Sequence, residues 1–174
     1  MNSVLRYRIT LGIFFVITLS FLGFVIWGHG QLPEKVPIHF DFAGNPDRVS
    51  VKSEMTIVNL SIGILMLLCF GVGAMLIEKV LAKYINLPNR DYWLSPERRK
   101  DSLADANFYY VAIGIVSMAL MWEIYRAAFQ VAMNREETLS LGPFREVGYI
   151  AAILVLIVMM FLRFWRKGNG NGNA

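Results

Sequence analysis

The sequence predicts an all-α integral membrane protein with four transmembrane helices and a short extracytoplasmic β-hairpin between the first two. Three observations lead there. Apolar residues, 56% of the 174, fall into four long uncharged runs. One polar stretch, Leu32–Ser53, alternates apolar and polar residues. The basic residues stand at the ends of the runs, where topology puts them. The mean hydropathy of +0.48 is that of a membrane chain. The net charge of +4 needs no nucleic-acid partner to explain it.

The first run, Ile9–Trp27, has 19 residues without a charge. As a helix rising 1.5 Å per residue it nearly crosses a hydrocarbon core of about 30 Å. It is long for a signal peptide, and Gly28-His29-Gly30 follows it instead of a small-residue cleavage site, so a retained span is expected. Gly28, Gly30 and Pro33 are expected to end the helix.

In the polar stretch, over residues 32–53, Val36, Ile38, Phe40 and Phe42 alternate with Pro37, His39 and Asp41. A period of two is the mark of a strand with one apolar face. The cluster from Ala43 to Asp47 reads as a turn. Val49 and Val51 then alternate with Arg48, Ser50 and Lys52, which completes a hairpin. Such a hairpin is marginal alone, so its apolar face should rest on lipid or span ends. Asp41 and Arg48 are expected to pair across the turn.

The second run, 55–77, is uncharged and holds Asn59, for which an interhelical partner is expected. Cys69, the one cysteine, reads as a small buried apolar residue. The connector over 78–105 carries six basic residues. In it, Asn89 favours a turn, Trp93 suits a headgroup layer, and Ser95-Pro96-Glu97 reads as a helix start leading through Arg98 and Arg99. The third span covers 106–133. Glu123 and Arg126, three residues apart, share a helix face there. Charge within a span marks a candidate functional site, but their place near the span's end favours an interfacial ion pair. The fourth span covers 147–165, and the Gly/Asn repeat over 168–174 is expected to be disordered.

Lysine and arginine number 11 in the N-terminus, connector and C-terminal end, against 6 in the hairpin and the Glu123–Glu146 region. That excess predicts both termini in the cytoplasm and the hairpin outside.

Chemistry is sparse. His39, Asp41 and Asp47, with His29, are the candidate metal ligands, but they lack a recognised metal spacing. No nucleophile frame surrounds Ser50 or Ser53, and two histidines leave little for acid–base work. No catalytic residue, metal or cofactor is assigned. The readings that stay open for His39, Asp41, Asn45, Asp47, Arg48 and Lys52 are a structural hairpin, a surface for a ligand, peptide or protein, and a metal-dependent or enzymatic site. The connector residues Asn89, Arg90, Trp93, Arg98 and Arg99 suit anionic lipid or a cytoplasmic partner. Assembly with other membrane proteins through small and polar faces is a further reading.

Two segments carry a resemblance. Leu32-Pro33, Pro37-Ile38-His39-Phe40, Gly44-Asn45-Pro46-Asp47 and Lys52 resemble the signature of a bacterial membrane family of unknown function, a domain shared with SdpI-type bacteriocin-immunity proteins. Asn86–Leu94 with Pro96–Arg99 is similar to a connector in Gram-negative members. The resemblance covers Ile9–Arg99. It implies a multi-span bacterial inner-membrane protein and, through the SdpI-type members, toxin immunity joined to signalling.

Overall fold

A computed structural model describes residues 1–79, 86–142 and 144–165. Helix α1 (Ser3–Gln31) leads into strands β1 (Lys35–Phe40) and β2 (Pro46–Val51). Helix α2 (Lys52–Met66) passes through a π-helical stretch (Leu67–Val72) into α3 (Gly73–Lys79). A short α4 (Arg90–Trp93) precedes the long α5 (Arg99–Ala132), and α6 (Arg145–Trp165) closes the chain's described part. Among the described residues four helices are long and apolar enough to cross a membrane: α1, α2 with its continuation to Ile77, α5 and α6. This is a multi-pass membrane protein carrying a two-stranded antiparallel hairpin. Part of the basic connector, including Lys83, and the Gly/Asn tail lie outside the described residues.

Helix α1 does not stop at its glycines. It runs through Gly28 and Gly30 to Gln31, just short of Pro33. Gly28 is there for packing: a Cβ on it would lie 2.9 Å from the Tyr125 hydroxyl and 3.2 Å from the Phe129 ring. Tyr7, Phe14, Phe21 and Gly28 are buried along α1, and Ala104, Val111, Met118, Tyr125 and Ala132 along α5. Both sets repeat every seven residues. A seven-residue repeat keeps one stripe facing its neighbour, as in a coiled coil. The two helices are parallel, since Arg6 near the start of α1 meets Asp105 near the start of α5. Most other side chains of the spans face outward, as they must in lipid, where apolar exposure carries no penalty.

The π-helical stretch turns Phe70 toward α5. Gly114 makes room for it, since a Cβ there would fall 2.6 Å from Phe70. Within this stretch the Cys69 carbonyl accepts from the Tyr110 hydroxyl of α5 at 3.0 Å. Cys69 itself is exposed, contrary to expectation, because its side chain points away from the α1–α5 seam. Asn107 ties α5 to α3, its amide donating to the Ala74 carbonyl at 3.1 Å.

Helix α5 begins at Arg99 and not at Pro96. Residues 95–98 instead form a turn in which the Ser95 carbonyl accepts from Arg98 and Arg99. Glu97 lies in this turn with its pKa held below the ordinary carboxylate value, mainly by its own backbone N–H and next by the Ser95 hydroxyl.

Candidate functional site

The hairpin folds locally. Asp41 organises its turn: its carboxylate accepts from the backbone N–H groups of Ala43 at 2.9 Å and Asn45 at 2.8 Å, and from the Asn45 amide at 3.1 Å. These bonds, those of Asn45 foremost, lower the Asp41 pKa. Asp41 therefore does not pair with Arg48. That arginine reaches Glu54 in the first turn of α2 at 3.2 Å, and Ser50 donates to the same carboxylate. His39 lies opposite Arg48 in the register, beside a bulge, and its Nδ1 donates to Asp47 at 2.6 Å. Lys52 pairs with Glu34 at 3.0 Å, across the entry and exit of the hairpin.

The apolar face of β1 meets protein. Val36 is fully buried, and Ile38 and Phe40 pack on the core formed by the helices. Phe42, which the alternation placed on that face, is instead fully exposed in the turn. The loop after α5 docks on the hairpin tip, with Leu139 N–H donating to the Gly44 carbonyl at 2.8 Å. Gly44 is required at this point: its φ is +83°, and a Cβ would fall 2.2 Å from the Leu139 oxygen.

Beneath this roof α2 and α5 line a cleft of about 380 Å³. Met55, Val58 and Ile62 of α2 face Ile124 and Ala128 of α5 across it, and Leu139 closes its upper side. His39, Arg48 and Glu54 stand at its polar margin. Asn59 also lines it, but without the expected interhelical amide bond. Its amide donates back to the Met55 carbonyl at 2.8 Å, within the same helix. Deeper between α1 and α2, His29 Nδ1 donates to Thr56 at 2.9 Å, because the Thr56 hydroxyl proton is already committed to the Lys52 carbonyl. A wider groove of about 810 Å³ runs along the hairpin's other side, among Lys35, Arg135, Glu136 and Glu137.

Glu123 is the hub of a charged set near the start of α6. It accepts from Arg126 and from Arg145, each at 3.0 Å. Asn45, Asp47 and Arg48 are exposed on the hairpin, so the sequence-derived hairpin residues share one end of the bundle but not one pocket.

The opposite end holds the residues that sequence reasoning missed. Asp105, 5% exposed, binds Arg6 of α1 at 2.6 Å and Arg163 of α6 at 2.7 Å. The connector is built onto this cluster. Asn89, in a left-handed conformation, donates to the Trp165 carbonyl at 2.8 Å, and the Trp93 indole donates to the Phe164 carbonyl at 2.8 Å. Both bonds fasten the connector to the last described turn of α6. Arg98 stacks over Tyr92, while Arg90 and Arg99 are exposed. The signal the sequence offers is an aspartate where the basic connector gives way to an apolar run. Its partners lie far away in the chain.

Residues 13–62 match the family described as a domain of unknown function, DUF1648. The match covers less than a third of the chain, from within α1 through the hairpin into α2. No curated protein and no solved structure matches the chain.

Proposed function

We propose that the protein is a non-enzymatic membrane receptor, and that the cleft beneath the hairpin takes an amphipathic ligand. The cleft carries this reading. Its volume of about 380 Å³ is within the range of small-molecule sites. Apolar residues from two spans form its walls and charged residues its margin, which suits a molecule with an apolar body and a polar head. The matched stretch 13–62 contains the roof and the α2 wall. The lysine and arginine count supports an outward hairpin with both termini in the cytoplasm of a bacterial inner membrane. Sensing or toxin immunity of the SdpI type fits that placement.

The metal-dependent alternative is weaker. The Asp41 carboxylate is held by its own turn, and among the described residues no three histidines, cysteines or acids come together.

A photoreactive diazirine residue at Met55, in the full chain in its native membrane, tests the reading. Irradiation should yield a discrete low-mass adduct that is missing when the same residue replaces lipid-facing Leu65. Ala128→Phe should abolish that adduct by filling the cleft. Identical adducts at positions 55 and 65 would reduce the cleft to ordinary lipid contact.

A further inference from the structure

The cluster at the far end of the bundle has more positive charge than its own packing uses. Arg6 and Arg163 converge on one carboxylate, Asp105, leaving a net charge of +1 on the three groups. Among the described residues no second carboxylate pairs with either arginine. Arg163 uses its Nε and Nη2 on one Asp105 oxygen, at 3.0 and 2.7 Å. Arg6 uses Nη2 on the other oxygen, and its Nε is buried without an acceptor. A buried donor without an acceptor is costly, so the packing around Arg6 leaves part of its hydrogen-bonding capacity unused.

The guanidinium planes are fixed from the side. Arg6 lies 4.2 Å over the Phe108 ring and Arg163 4.4 Å over the Trp93 ring. Stacking occupies the flat faces and leaves the edges, where N–H groups point, for in-plane bonding. Both side chains remain about one-third exposed, at 34% and 37%. Two partly exposed guanidinium groups gathered on one buried carboxylate suit a tetrahedral oxyanion, which takes paired N–H donors. The position is also specific. The three residues come from near the ends of three helices long and apolar enough to span, the depth at which a headgroup would lie.

We propose that Arg6 and Arg163, gathered on Asp105, form a binding site for a phosphate group, that of an anionic phospholipid headgroup. Trp93 and Asn89 act as positioning residues, because they hold the end of α6 from which Arg163 projects. This site lies at the other end of the bundle from the cleft and does not depend on it.

The test is native mass spectrometry of the detergent-solubilised full chain, titrated with phosphatidylglycerol or phosphatidylcholine. The wild type should prefer phosphatidylglycerol. Losing one arginine, as in Arg163→Gln, should weaken that lipid about fivefold, and losing both about thirtyfold. Arg6→Lys with Arg163→Lys should keep most of the preference. Asp105→Asn decides between binding and structure. It raises the local charge, so it should bind phosphatidylglycerol at least as well as wild type while loosening the fold. A purely structural cluster would lose binding in Asp105→Asn along with the arginine variants, and that result overturns the proposal. So does an unchanged preference in a folded double glutamine variant. Inorganic phosphate is the control for source: failure of millimolar phosphate to compete is expected, and competition would overturn the lipid assignment in favour of free phosphate.

Discussion

At the hairpin end, polar contacts join near neighbours in the chain: His39 hydrogen-bonds Asp47, and Arg48 with Glu54 and Lys52 with Glu34 form ion pairs. At the other end, Asp105 joins residues from the first and last helices. Each hairpin pair has at least one largely exposed partner, so screening leaves it about 0–1 kcal/mol. The Asp105 pairs sit around a buried carboxylate, where breaking them leaves charge uncompensated. One end is therefore shaped by backbone geometry and decorated with charge, and the other is joined by charge. The hairpin end can present groups outward without loss of fold, whereas the far end ties α1, α5 and α6 together.

The largest effect should come from removing the buried carboxylate. Asp105→Ala should cost about 3 kcal/mol of stability, whereas Asp47→Ala at the hairpin should cost about 0.5 kcal/mol. Thermal unfolding in detergent, followed by circular dichroism, measures both. Equal losses would erase the contrast between the ends. The stacked aromatic rings under Arg6 and Arg163 work in the other direction by shielding the remaining cations, so the value for Asp105→Ala stays below that of a fully enclosed pair.

A smaller effect tests whether backbone geometry does hold the hairpin end. Gly44→Ala places a methyl against the Leu139 carbonyl and strains a left-handed residue, at about 1–3 kcal/mol. The expected result is a detached 134–142 loop with faster exchange of the Leu139 amide. Gly142→Ala has the same φ of +83°, but its Cβ would find no atom closer than 4.0 Å. It isolates the conformational cost from the clash. Similar exchange at Leu139 in both variants would mean that the docking bond is incidental.

The same contrast explains what could be read in advance. The hairpin was legible because its signals are local: alternation over Val36–Phe40 and Val49–Val51, with a turn cluster between. The seven-residue repeat of Tyr7, Phe14 and Phe21 was also present, but nearly every other residue in that run is apolar and conceals it. Gly28 and Gly30 looked like breakers because a sequence does not show which glycine is needed for close packing. The π-helical turn at Leu67–Val72 has no composition of its own, since Gly114 and Tyr110 on another helix accommodate it. Asp105 stands at the edge of the connector with nothing in its local sequence to mark it. Its significance depends on arginines 99 and 58 positions away, and no local pattern encodes such a meeting.

The smallest effect is confined to the turn, and pH reveals it. Asp41 accepts three close hydrogen bonds that favour its ionised form, so its folded pKa lies below the ordinary value of about 3.9. A lowered folded pKa means that the unfolded chain takes up its proton first as the pH falls. The stabilisation from Asp41 is thus complete above about pH 4 and is lost as the pH drops through the folded value. The Ala43 and Asn45 amide resonances, in NMR spectra of the full chain, should shift together with a midpoint below about 3.9. Asp41→Asn should remove the titration and keep most of the turn, because its side-chain oxygen still accepts. A midpoint at or above the ordinary value would show that the turn holds its shape without the carboxylate charge, leaving Gly44 and the docked loop to set the geometry of the roof over the cleft.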